Sequence, residues 1–409
     1  MRIVTVEELG RRLAALPGSE PRVTASGNFA APLHLLSVLD IALEHYRLFM
    51  LNAQPGIPSR PGVAHETPFV GPGMRGSPRL SYIPARLSLV PRLFRGAYAP
   101  DAVLLHSSTP RAETVSLGTE VNVLPAAIEA CRARGGLVVA QLDGHMPHTH
   151  GDAVVPIDLI DLAVEADQVM ARPVRAGADG PAAAVAERVA AFVPDGATLQ
   201  AGIGAVPDAA LAGLGQRRGL RVWSEMFSDG LLGLEQAGAL DRDADIVASF
   251  CFGSAELYEF VDGNERVRML RTERVNDPGT IAAQPLMVSI NSALQVDLFA
   301  QANAHRVCGR IYSGLGGQSD FVVGAMHAPG GQAIVALPSW HPKADVSTVV
   351  PALTGPATSF QHSHIVTDAG AADIFGRSES EQAAEVIGVA HPRVREELEA
   401  AAARMGLAR

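Results

Sequence analysis

The stretch TLQAGIGAVPDAALAGLGQRRGLRVWSEM, residues 198–226, decides the fold class of this chain. An apolar segment runs into Gly202-Ile203-Gly204, Pro207 suits the first turn of a helix, and a second apolar segment ends at Glu225. This order predicts a β-α-β unit whose two parallel strands end at the same edge of the sheet. Ligands of open α/β sheets bind beyond that edge. We therefore expect Glu225 to lie close to the glycine turn.

The same alternation of strand and helix patterns runs through the rest of the chain. In the first half it is carried by PRVTASG, HLLSVLDIALEHY, RLFMLNA, DAVLLHSS, LPAAIEACRARGG and LVVAQLD. This rhythm predicts an α/β fold with largely parallel sheets. The later stretch ARPVRAGADGPAAAVAERVAAF opens with the proline, glycine and alanine typical of an interdomain connection. We place a domain boundary at Ala176, giving domains 1–176 and 177–409.

Bulk composition excludes several classes of function. With 409 residues the chain exceeds what one hydrophobic core usually supports, which also favours two domains. A net charge of −10 without a basic block argues against nucleic acid as a partner. Cys131, Cys251 and Cys308 form no CxxC pair, so neither a zinc knuckle nor a disulfide framework is indicated. No apolar run is long enough for a membrane span, and we expect a cytoplasmic protein.

Three further stretches are candidates for chemistry or for a polar strand. YSGLGGQSDF, residues 312–321, is a glycine loop whose amides could face an oxyanion, although by itself the stretch favours a plain glycine-rich turn. LMVSINSALQVDLFAQ, residues 286–301, alternates apolar and polar residues and predicts one or two strands with a polar face. HMPHTHGD, residues 145–152, resembles a metal cluster, but Pro147 and Gly151 make it a loop without helical ligand spacing. We predict no metal site there.

Taken together, ordered stretches resemble the acetyl-CoA hydrolase/transferase family, which includes acetate and 4-hydroxybutyrate CoA-transferases. They span about residues 23–395 and read FVGPGMR, VSLGTEVN, MPHTHGD, GIGAVPDA, SEMFSDG, RVNDPGTIA, INSALQVDLFAQANA, SGLGGQSDF and IVALPS. The resemblance implies two CoA-transferase-type open α/β/α domains with largely parallel sheets and an active site in the cleft between them. It also implies coenzyme A as part of the substrate, a small carboxylate as acceptor, and a homodimer or higher homo-oligomer.

The resemblance assigns roles to particular residues. Glu225 matches the family's catalytic glutamate, which carries acyl and CoA groups covalently, and an exposed glutamate is ionised at neutral pH without a base. The resemblance implies CoA-binding positions in two glycine segments and in the polar strand: Gly202, Ile203, Gly204, Ala205, Val206, Asn291, Gly314, Gly316 and Gly317. Val206 N–H and an amide of the second glycine loop are the candidate oxyanion donors.

The chain also departs from the family pattern. SSTPRAETVSLG stands where the family commonly has SPPDEHGYCSLG, VTDAG where it has VTEYG, and PSWHPKADVS near its PSTAKGG. The last change shifts Lys343 by about one position and adds Trp340, so substrate contacts are expected to differ. Alternatives to a transferase are an acyl-CoA hydrolase on the same fold, a non-catalytic CoA-binding regulator, and a nucleotide-binding oxidoreductase suggested only by the GIGA turn.

Overall fold

A computed structural model of the chain describes residues 1–173, 180–202, 204–357 and 361–408. The described residues form two compact units. The first contains Met1–Pro173, Ile246–Val275 and Tyr312–Gly316, and the second contains the rest of the described chain. The boundary predicted at Ala176 lies outside the described residues and stays a prediction.

Helices alternate with strands along the described chain. The α-helices are α1 (Val6–Ala14), α2 (Leu33–Ala42), α3 (Val90–Leu93), α4 (Leu124–Ala133), α5 (Pro181–Ala191), α6 (Ala205–Ala212), α7 (Asp229–Gln236), α8 (Ala255–Val261), α9 (Thr272–Val275), α10 (Pro278–Ala282), α11 (Gln318–His327), α12 (Glu379–Gly388) and α13 (Arg395–Arg404). Single 3-10 turns occupy Leu87–Leu89, Ile157–Leu159 and Pro392–Val394. None of these helices has the length and apolar character needed to cross a membrane.

Most strands are short. They are β1 (Arg2–Ile3), β2 (Arg22–Ala25), β3 (Tyr46–Phe49), β4 (Val63–Thr67), β5 (Leu80–Tyr82), β6 (Ala102–Ser108), β7 (Thr114–Ser116), β8 (Leu137–Asp143), β9 (His150–Gly151), β10 (Val154–Pro156), β11 (Leu162–Ala166), β12 (Thr198–Ala201), β13 (Arg221–Trp223), β14 (Met226–Phe227), β15 (Ile246–Ala248), β16 (Phe250–Cys251), β17 (Val267–Met269), β18 (Met287–Ser292), β19 (Gln295–Asp297), β20 (Ala302–Asn303), β21 (Arg306–Val307), β22 (Arg310–Ile311), β23 (Gln332–Ala336), β24 (Trp340–His341), β25 (Val346–Ser347), β26 (Val349–Val350), β27 (His364–Thr367) and β28 (Gly370–Asp373).

The first unit is built on an eight-stranded sheet in the order β1-β11-β8-β6-β2-β3-β4-β5. Every neighbouring pair in it is parallel. The central strands β6 and β8 are buried along their whole length, as the inner strands of a parallel sheet must be when helices cover both faces. A separate parallel group in this unit joins β15, β17 and β9.

The second unit contains a sheet with the order β28-β27-β23-β18-β12-β13. All its pairs are parallel except the outer pair β27–β28, which is a tight antiparallel hairpin. The sequence prediction of an α/β fold with largely parallel sheets is confirmed in both units. An apolar cluster around Val335, Ile365 and Val386 joins β23, β27 and α12 beside this sheet.

Two helix starts in the second unit are set by the residues before them. Helix α6 begins at Ala205 with Gly204, at φ +138°, as its N-cap, so Pro207 lies in the first turn as the sequence predicts. Ser228 and Asp229 form the N-cap and first residue of α7, and the Ser228 side chain makes no capping hydrogen bond.

Candidate active site

Three strand ends lie at one edge of the second unit's sheet, and two of them, those of β12 and β13, belong to the predicted β-α-β unit. Strand β12 lies between β18 and β13, with Leu199 opposite Val222 and Ala201 opposite Ile290. Gly202 therefore follows the end of the central strand, and Glu225 follows the end of its neighbour. This edge is the carboxyl edge, where ligands bind in open α/β sheets.

Glu225 is held by a hydrogen bond from an asparagine. The carboxylate is partly buried, and its Oε2 accepts from Nδ2 of Asn276 at 2.8 Å. Asn276 is fully buried and stands immediately before Asp277, the N-cap of α10, whose side chain accepts from Thr280 N–H. The helix cap thus fixes the backbone beside Asn276, and Asn276 orients one oxygen of the carboxylate.

The surroundings of Glu225 raise its pKa to about 7. Burial is the largest cause, and the negative charge of Asp320 adds to it, while the hydrogen bond from Asn276 acts in the opposite direction. Asp320 lies fully buried in the first turn of α11. The expectation of a glutamate ionised like an exposed one is therefore wrong, because desolvation disfavours the charged form.

Gly317 leaves the space that the Glu225 carboxylate occupies. A Cβ at this position would stand 1.7 Å from Oε2 of Glu225 and 2.3 Å from Nδ2 of Asn276. No side chain fits there without displacing both groups. Gly317 is also the N-cap of α11. The same glycine therefore begins the helix and leaves room for the carboxylate.

Gly314 and Gly316 serve a different purpose from Gly317. Both belong to the first unit, where Gly314 forms a bridge with Phe69 and a Cβ on it would lie 2.2 Å from the Pro68 carbonyl oxygen. Gly316 has φ +56°, and its carbonyl accepts from Leu87 N–H at 2.9 Å. These contacts explain both glycines by close backbone packing.

The first glycine turn links β12 to α6. Gly202 N–H donates to the Ile290 carbonyl at 2.8 Å, continuing the pairing one residue past the strand. Ala205 and Val206 are the first two residues of α6, where N–H groups have no partner within the helix. Such groups can donate hydrogen bonds to an anion or to a developing oxyanion. Ile203 lies outside the described residues.

The side chain of Asn291 is engaged in hydrogen bonds within the protein. It is buried on β18, and its side-chain amide bonds to Gln200 and Ser289. The polar residues Ser289 and Asn291 on β18 are thus inside the protein and are paired with each other and with Gln200. The predicted stretch forms two strands, β18 and β19.

Comparison with known proteins decides the family. Residues 253–402 match the model of the acetyl-CoA hydrolase/transferase C-terminal domain. The chain is 36% identical over 351 residues to a 4-hydroxybutyrate coenzyme A transferase of Clostridium kluyveri, covering 82% of this chain and 80% of that protein. The chain belongs to the acetyl-CoA hydrolase/transferase family. The resemblance found in the sequence motifs is confirmed.

Solved structures agree with this family assignment. RipA from Yersinia pestis superposes with a TM-score of 0.92 at 27% identity, over 99% of this chain and 98% of that chain. A 4-hydroxybutyrate CoA-transferase from Porphyromonas gingivalis gives a TM-score of 0.82 at 28% identity, with the same coverage. The predicted CoA-transferase-type fold is therefore confirmed.

Two departures from the acetyl-CoA hydrolase/transferase family pattern contact each other. Asp368 in VTDAG accepts from Ser339 N–H at 2.5 Å and from its hydroxyl at 3.1 Å, which joins the ends of β27 and β23. Trp340 follows at once and begins the β24–β25 hairpin, with Nε1 donating to Asp345. Lys343, the shifted lysine, is exposed between these two strands.

One residue of the histidine loop, His145, pairs with carboxylates. Nδ1 of His145 lies 3.1 Å from Asp143 and 3.3 Å from Asp167, while the His148 and His150 rings lie 5.7 Å apart. Across the part of the chain that the structure describes, no three His, Cys, Asp or Glu side chains are grouped closely enough to hold a metal ion.

Sequence reasoning missed two residues of this site, Asn276 and Asp320. Both stand in stretches that carry the family resemblance, RVNDPGTIA and SGLGGQSDF, but no spacing rule links either of them to Glu225. Asn276 is 51 positions away along the chain from the carboxylate to which it donates. Only the packing of α10 and α11 brings them together.

Proposed function

We propose that this protein is a CoA-transferase that moves CoA between small carboxylic acids, with Glu225 as the covalent carrier. The observation that carries the proposal is the Glu225 carboxylate, oriented by Asn276 at the carboxyl edge and accommodated by Gly317. Family membership supports the same reaction. Acyl-CoA and a free carboxylate are its two substrates, and the chemistry needs no metal.

In the proposed reaction, an ionised Glu225 oxygen attacks the thioester carbonyl of acyl-CoA. The C–S bond breaks, giving an acyl-glutamyl anhydride and CoA thiolate. The thiolate then attacks the glutamyl carbonyl, releasing the first acid as its carboxylate and leaving a glutamyl-CoA thioester. An incoming carboxylate attacks this thioester, and the same steps run in reverse, which predicts ping-pong kinetics.

The raised pKa of Glu225 is consistent with this role. A carboxylate with a pKa of about 7 is only partly ionised at neutral pH, but its ionised form is poorly solvated and more basic than an exposed glutamate. The tetrahedral intermediates need hydrogen-bond donors, and we propose Val206 N–H and an amide of the 314–317 loop. Losing one such donor typically slows a reaction by about 10² to 10³.

The test is a trapping experiment on the whole protein. Enzyme incubated with acetyl-CoA is treated with borohydride, which reduces a glutamyl thioester, and its peptides are then mapped by mass spectrometry. We expect the reduced residue at 225. Glu225→Ala should abolish CoA transfer to a second acid and yield no reduced residue at position 225. Glu44→Gln, at an exposed carboxylate, should retain CoA transfer and the reduced residue.

Two outcomes would change the proposal. A reduced residue elsewhere, or transfer by Glu225→Ala, would overturn the assignment of the nucleophile. Release of CoA at the same rate with and without an acceptor acid would identify an acyl-CoA hydrolase instead, because water would then be resolving the covalent intermediate.

A further inference from the structure

Three polar side chains meet inside the sheet of the second unit, below the glycine turn. Gln200 lies on β12, and Ser289 and Asn291 lie on β18. All three are at least nine-tenths buried. Inner strands of parallel sheets are normally apolar, and burying amides and hydroxyls has a cost unless they are paired.

The three side chains form a closed hydrogen-bonded triangle, which we name the amide triad. Ser289 Oγ donates to Gln200 Oε1 at 2.6 Å, and Asn291 Nδ2 donates to the same oxygen at 3.1 Å. Asn291 Nδ2 also reaches Ser289 Oγ at 2.8 Å, and Gln200 Nε2 donates to Asn291 Oδ1 at 3.3 Å. A closed network of this kind selects one side-chain arrangement.

The amide triad is coupled to the glycine turn through the backbone. Gln200 precedes Gly202 by two residues and lies opposite Ser289 in the register of β12 and β18. A Cβ at Gly202 would stand 3.2 Å from Asn291 Oδ1, so Gly202 lies directly over the triad. The triad thereby fixes where β12 ends, and with it the starting point of α6.

We infer that Gln200, Ser289 and Asn291 are positioning residues for the proposed reaction, setting Gly202 against the carboxylate of Glu225. This inference rests on the proposed function. It also gives Asn291 an indirect role in place of the CoA contact expected from the sequence, because both ends of its amide are already used.

An effect of the amide triad on catalysis can be separated from an effect on stability. Replacing all partners of a buried network by apolar groups of similar shape is nearly neutral or stabilising, whereas removing one leaves polar atoms unpaired. The variant Gln200→Leu/Ser289→Ala/Asn291→Leu should therefore keep its unfolding midpoint in urea. Its kcat should fall by about tenfold to hundredfold, the effect of misplacing a catalytic group by about 1 Å.

A matched control lies on the same strand. Thr198 is buried at the other end of β12, where its hydroxyl donates to the Pro285 carbonyl at 2.8 Å. Thr198→Val removes one buried hydrogen bond far from the turn and should leave kcat unchanged. In the triple variant, the KM for acyl-CoA should change much less than kcat, and the pH at half-maximal kcat/KM should stay in place.

The outcomes are decisive in either direction. Wild-type kcat in the folded triple variant, or an equal loss in Thr198→Val, would overturn the inference. Should the triple variant not fold, Ser289→Ala keeps the bonds between Gln200 and Asn291 and should lose part of kcat, while full activity would again overturn it. Activity in Glu225→Ala would instead contradict the proposed function. Failure of the inference and failure of the proposed function are therefore distinguishable.

Discussion

At the scale of single residues, the site depends on one carboxylate, that of Glu225, whose ionised form is disfavoured by burial. Burial raises the pKa of Glu225 to about 7, and the hydrogen bond from Asn276 restrains that rise. Only the ionised carboxylate can attack a thioester. In the proposed reaction, burial therefore opposes the charge that the nucleophile needs, and the hydrogen bond from Asn276 partly offsets that effect.

The pH dependence of activity follows from this balance. Since the proposed nucleophile, Glu225, gains charge as pH rises through about 7, kcat/KM for acyl-CoA should increase along an acid limb with an apparent pKa near that value. Asn276→Ala removes the bond that lowers the pKa, so the limb should move to higher pH. Initial rates measured from pH 5 to 9 test this, and an unmoved limb would contradict it.

Gly317 gives a second prediction at this scale. Gly317→Ala places a Cβ 1.7 Å from Oε2 of Glu225, so the carboxylate must move, and kcat should fall by about 10² or more. Gly233→Ala is the matched control, because nothing lies within 4 Å of its added Cβ in α7. That control should retain activity and gain up to about 1 kcal/mol of helix stability. Equal kinetics in both variants would refute the steric argument.

At the scale of elements, strand ends are joined by side chains as well as by the sheet. The amide triad connects β12 to β18, and Asp368 connects the end of β27 to Ser339 after β23. Both links lie toward the carboxyl edge of the second unit. The strands end at this edge and continue as loops. Backbone pairing between strands does not extend into these loops, so side-chain hydrogen bonds help to hold them in place.

Asp368 gives a prediction for this second link. Asp368→Ala removes an acceptor used by two donors of Ser339 and should lower the free energy of unfolding by about 1.5 to 3 kcal/mol. Asp368→Asn keeps one acceptor oxygen and should cost less. Urea unfolding of both variants tests the order, and an Asp368→Ala protein as stable as wild type would show that the link contributes nothing.

At the scale of the whole molecule, the described part of each unit contains a glutamate whose pKa is raised by burial. In the first unit, burial raises the pKa of Glu120 to about 7, although Asn28 and Asn122 donate to its two oxygens. Glu225 is the counterpart in the second unit. An ordinary glutamate has a pKa of about 4.5 in the unfolded chain.

This pair gives a prediction for stability against pH. Between about pH 4.5 and 7, the folded protein binds more protons at these groups than the unfolded chain does, so their contribution to stability falls as pH rises. Glu120→Gln cannot ionise and should flatten part of that slope. Denaturant unfolding at pH 5, 6 and 7 measures it, and an unchanged slope would mean that Glu120 titrates normally.

Much of this protein was decided by the sequence alone. The alternation of strand and helix patterns predicted parallel α/β sheets, and the β-α-β unit at residues 198–226 put Gly202 and Glu225 at one sheet edge. Those conclusions follow from short-range rules, because the period of apolar residues and the chemistry of glycine and proline act within a few residues.

The tertiary structure alone decided the environment of those residues. Asn276, Asp320 and Gly317 reach Glu225 from positions far along the chain, and Gln200 meets Asn291 only because β12 pairs with β18. Desolvation depends on everything that packs around a carboxylate, so no local pattern could show that the pKa of Glu225 is raised. Chain order placed Glu225 at the sheet edge, and long-range packing set its pKa and its orientation.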